Sequence, residues 1–349
     1  MMTRLFAWGL TVFAGVSLVA VTVAGQTVPR VADGRPDLQG VWDFRTQTPL
    51  QRPKNLGDQA FLTEEEASTL EAAVTARRAR LLEPSEVRTE PLPAGGGGLA
   101  VGGYNDFWLD YGTNVTGDRR TSLITDPPDG RLPALTAEGE ALQQFGSLWE
   151  DLPIEAPLRV RSAGTGADRP EDRGLAERCL VGFNSGPPMM PSGYNNNMQL
   201  FQTPDNIVIV NEMVHDIRVI PFDARPHLPE TLRQWAGNSR GHWDGDTLVV
   251  ETINFTDKTA SFETSPMHAI GTGLTLSLTE RFQRVDEDTL LYEYTVDDPT
   301  IFTRSFTVAV LMRRSDEPIF EYACHEGNYG LLNILRGARA DELAGDGAP

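Results

Sequence analysis

From about residue 196 onward, apolar and polar residues alternate with a period of two, and turn formers interrupt the alternation at short intervals. MQLFQT stops at Pro204-Asp205-Asn206, IVIVNEMVHDIRVIPF follows, GHWDGDTLVVETINF carries an Asp-Gly turn, and TLSLTERFQRVDEDTLLYEYTV reverses at Asp286 to Asp288. SFTVAVLMRR and IFEYAC add two more strands. Seven or eight short antiparallel strands with no helices between them predict a mainly β fold, a barrel or strongly curved sheet, with a sandwich as the alternative.

The preceding half reads differently. Residues 26 to about 175 are irregular and rich in proline, with a helix over LTEEEASTLEAAVTARRARLL, where Thr63 and Glu66 have capping-box spacing, and a second over TAEGEALQQFGSLWEDL. The run Gly95 to Gly98 lacks the lysine and hydroxyl of a phosphate loop and reads as a linker; DRRTSLITDPPDGRLP reads as a loop packed on the main domain. LLNILRGARADEL predicts a C-terminal helix that covers one end of the sheet. The implied organisation is a signal segment at 1–25, an irregular segment with two helices at 26–175, a β-barrel domain at 176–336 and a tail at 337–349.

Alternation also sorts polar residues by face. Leu274, Leu276, Leu278, Glu280 and Phe282 share one face of TLSLTERF; Glu251 shares a face with Val249, Ile253 and Phe255; His215 shares one with Ile207, Ile209, Met213, Ile217 and Val219. Three ionisable groups thus fall on faces that read as buried. Desolvating a lone carboxylate costs several kcal/mol, so each must be paired, hydrogen-bonded or protonated. As a functional cluster, His215, Glu251 and Glu280 have the perturbed protonation that acid/base chemistry uses; as a structural one, they pair with Arg218, Arg240 or Arg281. A one-residue register slip reverses each assignment.

Composition narrows the functions. With 30 Lys+Arg against 49 Asp+Glu the formal charge is −19, and no basic stripe offsets it, so nucleic acid is excluded as a partner. MMTRLFAWGLTVFAGVSLVAVTVAGQ has one cation, an apolar run from Leu5 to Ala24, and small residues before Gln26, the pattern of a secretory signal cleaved after Gly25, with an uncleaved anchor as the alternative. No later stretch is apolar enough to span a membrane. In an oxidising compartment the only two cysteines, Cys179 and Cys324, are expected to form a disulfide. A Cys324 nucleophile is disfavoured, because His325 lies on the opposite side of an extended segment. None of the five histidines has zinc-site spacing, and nothing calls for a cofactor or metal.

ERCLVGFNSGPPMMPSGYNNN, NEMVHDIRVIPFDARPHLP, RQWAGNSRGHWDGDTLVVETINF, ERFQRVDEDTLLYEYTVDDPTIFTR and EYACHEGNYGLLNILRGAR resemble the blocks of a family of uncharacterised exported bacterial proteins. The resemblance spans most of the mature chain and implies a periplasmic or secreted bacterial protein; it assigns no activity. The C-terminal strands are, more distantly, similar to lipocalin-like barrels, which implies a small-ligand interior. Three functions follow as expectations. The first is a cofactor-independent lyase, isomerase or hydrolase acting on a small organic molecule, with His215, Glu251, Glu280, His325 and Glu326 as acid/base groups and Tyr194, Asn196, Arg240 and Trp243 binding substrate. The second is a carrier whose interior holds a ligand on Met213, Phe255, Leu278, Phe282 and Tyr294. The third is an envelope interaction protein without a pocket.

Overall fold

The structure, a computed structural model, describes residues 28–83, 109–145, 157–162 and 166–345. The signal segment, the glycine run and the later half of the second expected helix lie outside the described residues. In chain order come β1 (Gly40–Asp43), α1 (Glu64–Leu81), β2 (Ile124–Asp126), α2 (Ala137–Ala141), β3 (Gln143–Phe145), β4 (Asn197–Gln202), β5 (Asn206–Asn211) and β6 (Ile217–Pro221). They are followed by β7 (Asn238–Asp244), β8 (Thr247–Ile253), β9 (Phe262–Ser265), β10 (His268–Ile270), β11 (Ser277–Arg284), β12 (Thr289–Asp297), β13 (Phe306–Ser315) and α3 (Tyr329–Gly345).

The main sheet is antiparallel throughout and runs β6-β5-β4-β1-β13-β12-β11-β8-β7, with β2 pairing the opening of β13. Its two end strands meet without forming a ladder, so the sheet curls but does not close into a barrel. They meet closely: a Cβ on Gly241 of β7 would lie 2.9 Å from the Ile220 side chain of β6 and 3.0 Å from Phe222, so only glycine fits there. β1 lies between β4 and β13, and β2 also joins the sheet, so the irregular N-terminal segment supplies part of the sheet's own backbone pairing.

The concave side is filled. Leu248 and Val250 of β8, Leu278 and Phe282 of β11, Tyr292 and Tyr294 of β12, and Val308, Val310 and Met312 of β13 are all buried. Phe282, Tyr292 and Tyr294 form a row of rings with centroids 4.9 and 5.5 Å apart. Each such ring removed from water contributes about 1.5–3 kcal/mol. A second, three-stranded sheet, β3-β10-β9, joins this core through Ile270 and through Phe262, whose ring meets Phe306 edge-on at 4.9 Å.

Helix α1 begins as its sequence predicts. Thr63 accepts from the Glu66 amide while Glu66 accepts from the Thr63 amide, and only Ala67 of the helix is buried. The second helix stops after Ala141, and Gln143–Phe145 pairs with β10 instead; ladder pairing overrides the helical preference of the segment. IFEYAC forms no strand. Helix α3 runs on to Gly345, and none of its residues is buried, so it does not cover the end of the sheet.

Two of the face assignments also need correction. The expected continuous face through His215 is interrupted by a turn in which Val214 and His215 have φ of 60° and 46°. Beyond that turn Arg218 and Ile220 point inward, while Ile217 and Val219 are 64% and 61% exposed and His215 lies at the surface. In β8 the run Leu248-Val249-Val250 does not alternate, so it fits either register; the observed one buries Leu248, Val250 and Thr252 and exposes Glu251.

Candidate functional site

The chain from Cys179 to Met190 folds back over the turn that precedes β6. Gly182 makes this possible, since a Cβ there would lie 2.3 Å from the Met213 side chain and 2.6 Å from the Ser185 hydroxyl. Residues 157–162 bring Arg161 to this loop, and β9 brings Glu263 to it. Between them opens a cleft of about 80 Å³. Its walls are largely apolar, with Phe183, Trp235, Phe255 and Phe262, and its polar groups are Arg161, Asp216, Thr259, Ser261 and Glu263.

Arg161 organises the polar side. Its Nε donates to Glu263 Oε1 at 2.9 Å and stands 2.8 Å from Oε2. Its Nη1 donates to the carbonyls of Gly182 at 2.7 Å, Ser185 at 3.0 Å and Phe183 at 3.4 Å. Burial pushes the Glu263 carboxyl up to about 7, and the Arg161 guanidinium draws it back only in part. The pair is largely enclosed, the two side chains 12% and 9% exposed, and the same guanidinium is shared with three carbonyls, so desolvation prevails.

Asp216 is the second carboxyl. Burial raises it as well, against the pull of the Ser185 hydroxyl, which donates to it at 2.8 Å, and of Arg161. Ser185 in turn accepts from the Gly182 amide at 2.8 Å, so the loop fixes the donor that orients Asp216. Ser261 is 1% exposed, lines the cleft, and its hydroxyl has no partner among the described residues. A carboxyl that changes charge near neutral pH, a second one lining the same cleft and an unsatisfied hydroxyl constitute an acid/base and hydrogen-bonding set inside an aromatic-walled cleft.

No family model, curated protein or solved structure matches the chain.

The residues expected from sequence do not gather in this cleft. Glu280 does face the interior, fully buried, but there it pairs with Arg218 at 2.6 and 3.1 Å and accepts from the Tyr292 hydroxyl at 2.8 Å. Tyr292 accepts in turn from the Met189 amide at 3.1 Å, and burial together with Glu280 keeps its hydroxyl protonated. This is a packed ion pair across the curl of the sheet. Glu251 stands opposite Arg240 on the outer face of β8 and β7; Arg240 donates to the carbonyls of Arg225, Pro226 and Ser239.

His215 shares a hydrogen bond between Nδ1 and the Tyr322 carbonyl at 2.9 Å, and His325 and Glu326 are exposed just beyond the Cys179–Cys324 disulfide, whose S–S distance is 2.03 Å. Tyr194 sets its ring edge-on to Phe183 at 6.0 Å. Asn196 is buried and saturated: its Nδ2 donates to the Asp110 and Ser192 carbonyls, and its Oδ1 accepts from Asn184 and Ser192. Trp243 packs against Phe222 at 6.4 Å and under Arg35 at 5.7 Å. Among the described residues no group of three or more His, Cys, Asp or Glu side chains is arranged to hold a metal ion.

Sequence reading missed Arg161, Trp235, Ser261 and Glu263 and passed over Asp216. β9 has only four residues, too few for periodicity to announce an inward glutamate, and Arg161 sits in a segment with no regular structure. Asp216 had a visible signal: an acidic residue between the apolar stretches IVIV and IRVI of one strand-like run.

Proposed function

We propose that this is an exported bacterial protein that binds a small organic molecule in the cleft between β9 and the 179–190 loop and moves a proton to or from it. Glu263 is the acid/base group, Asp216 the second carboxyl, and Arg161 the residue that holds Glu263 in place. The observation that carries the reading is the Glu263 carboxyl, enclosed against Arg161 at the edge of an aromatic-walled cleft and pushed up to about 7, where it exists in both protonation states at neutral pH. Export is supported by the leader-like first residues, by the resemblance of the quoted blocks, and by the disulfide.

A carrier holding its ligand inside a lipocalin-like interior has less support, because Tyr292, Tyr294, Phe282 and the Arg218–Glu280 pair occupy that interior. The test is to incubate the protein and its Glu263→Gln variant with a small-molecule extract of bacterial periplasm and compare the products by mass spectrometry. At least one component should be consumed by the wild type and left intact by the folded variant. Identical profiles for the two proteins, each changed from the starting extract or not, would overturn the proton-transfer role.

A further inference from the structure

The charge inventory of the cleft points to the class of molecule it takes. Arg161 is the only lysine or arginine among its described lining residues, and it is already committed to Glu263 and to the carbonyls of Gly182, Phe183 and Ser185. An anionic ligand would therefore meet two carboxyl groups against a single guanidinium whose Nε already pairs with Glu263 and whose Nη1 already serves three carbonyls. At neutral pH, where Glu263 exists in both protonation states, the two carboxyls and one guanidinium of the lining sum to between zero and one net negative charge, and never to a positive one while Asp216 is ionised. The chain as a whole, at −19, concentrates cations at its surface.

The walls agree with the charge. Phe183, Trp235, Phe255 and Phe262 line the same cleft as the carboxyls, and an aromatic ring met face-on attracts an alkylammonium group by about 0.5–2 kcal/mol. Ser261 lines the same cleft, and its hydroxyl, buried and without a partner among the described residues, has acceptor capacity for an N–H.

We infer, resting on the small-molecule reading above, that the cleft takes a small organic cation, its ammonium group beside the carboxyls of Asp216 and Glu263 and its apolar body against Trp235 and Phe183. The cleft, at about 80 Å³, sets the scale of the head group as small.

Three probes with one apolar body separate charge from shape: tert-butylammonium, tert-butanol and pivalate. Each is titrated into the oxidised mature protein in moderate salt, at neutral pH, and followed by saturation-transfer NMR. The ammonium should bind at least about ten-fold more tightly than the alcohol, and pivalate should show no saturable binding, the ten-fold corresponding to about 1.4 kcal/mol of charge recognition. Asp216→Asn should weaken the ammonium several-fold while leaving the alcohol little changed, and Trp235→Ala, which removes the wall of the shared apolar body, should weaken both; circular dichroism checks the fold of each variant, and either alone suffices if the other does not fold.

Pivalate or tert-butanol binding as tightly as the ammonium, with sensitivity to Trp235→Ala, refutes the cation preference but leaves a small-molecule cleft in place. Ammonium binding indifferent to both substitutions refutes the inference by assigning the probe to the acidic surface elsewhere. Failure of all three probes also refutes it, and the comparison of wild type with Glu263→Gln on periplasmic extract then decides separately whether the cleft acts on any molecule.

Discussion

Glu263→Gln removes a titrating carboxyl and keeps its shape, so the difference between wild type and variant isolates what burial does to this one group. The folded carboxyl stands at about 7, against an ordinary value of 4.5 that it regains on unfolding. Because the folded value is the higher one, folded protein holds a proton that unfolded protein has already released at any pH between the two. The stabilisation is therefore complete below about 4.5 and is lost as pH rises through about 7.

At about 1.4 kcal/mol per pH unit, the rise from 4.5 to about 7 amounts to roughly 3 kcal/mol. Glutamine also leaves Arg161 without its carboxylate, but that penalty does not change with pH and shifts the whole curve by a constant. Urea unfolding of both proteins at half-unit steps from pH 4 to 8 gives the difference directly. The wild type should lose roughly 2–3 kcal/mol relative to Glu263→Gln between pH 4.5 and pH 7.5. A flat difference, or one in which the wild type gains relative to the variant as pH rises, would mean that Arg161 holds Glu263 ionised throughout and would remove the basis for its acid/base role.

Three other outcomes follow from the packing. Glu280→Gln leaves Arg218 charged and buried with no carboxylate, and should cost about 3–5 kcal/mol by chemical denaturation, whereas the double replacement Arg218→Met with Glu280→Leu should recover most of it; equal losses in the single and double variants would contradict an ion pair whose role is only structural. Ile220→Ala on the inner side of β6 should cost about 2–5 kcal/mol and Val219→Ala under about 1 kcal/mol, and the reverse order would show that the register of β6 is the other one. The Cys179–Cys324 bridge closes a separation of 145 residues, so replacing both cysteines with serine should lower stability by about 4–5 kcal/mol in the chain-entropy description; a loss under about 1 kcal/mol would mean that the unfolded chain is already held compact.

Local chemistry accounts for what was legible in the sequence. The capping box at Thr63 and Glu66, the Asp-Gly turn between β7 and β8, the reversal at Asp286 to Asp288, and the long alternating run through Leu278, Glu280 and Phe282 all act over a few residues, and each appears in the structure where the sequence puts it. The pairing of Cys179 with Cys324 was legible for a different reason: two cysteines admit one intramolecular bridge.

Long-range pairing decided the rest. Nothing near Gly40–Asp43 announces that it lies between β4 and β13, and nothing within TAEGEALQQF says that its end pairs with β10. Register on β8 was ambiguous because Leu248-Val249-Val250 is apolar on both faces, and on β6 because a turn with two positive φ values intervenes at Val214 and His215. The candidate site belongs to this second class. Glu263, Arg161 and Asp216 come from segments far apart in the chain, and only folding takes the first two out of water together, which is what sets the protonation of the Glu263 carboxyl. Sequence determined the hairpins, the first helix and the bridge, because their causes are local or combinatorial; tertiary structure alone decided which charges share a cleft, because desolvation belongs to the packed chain and not to any residue within it.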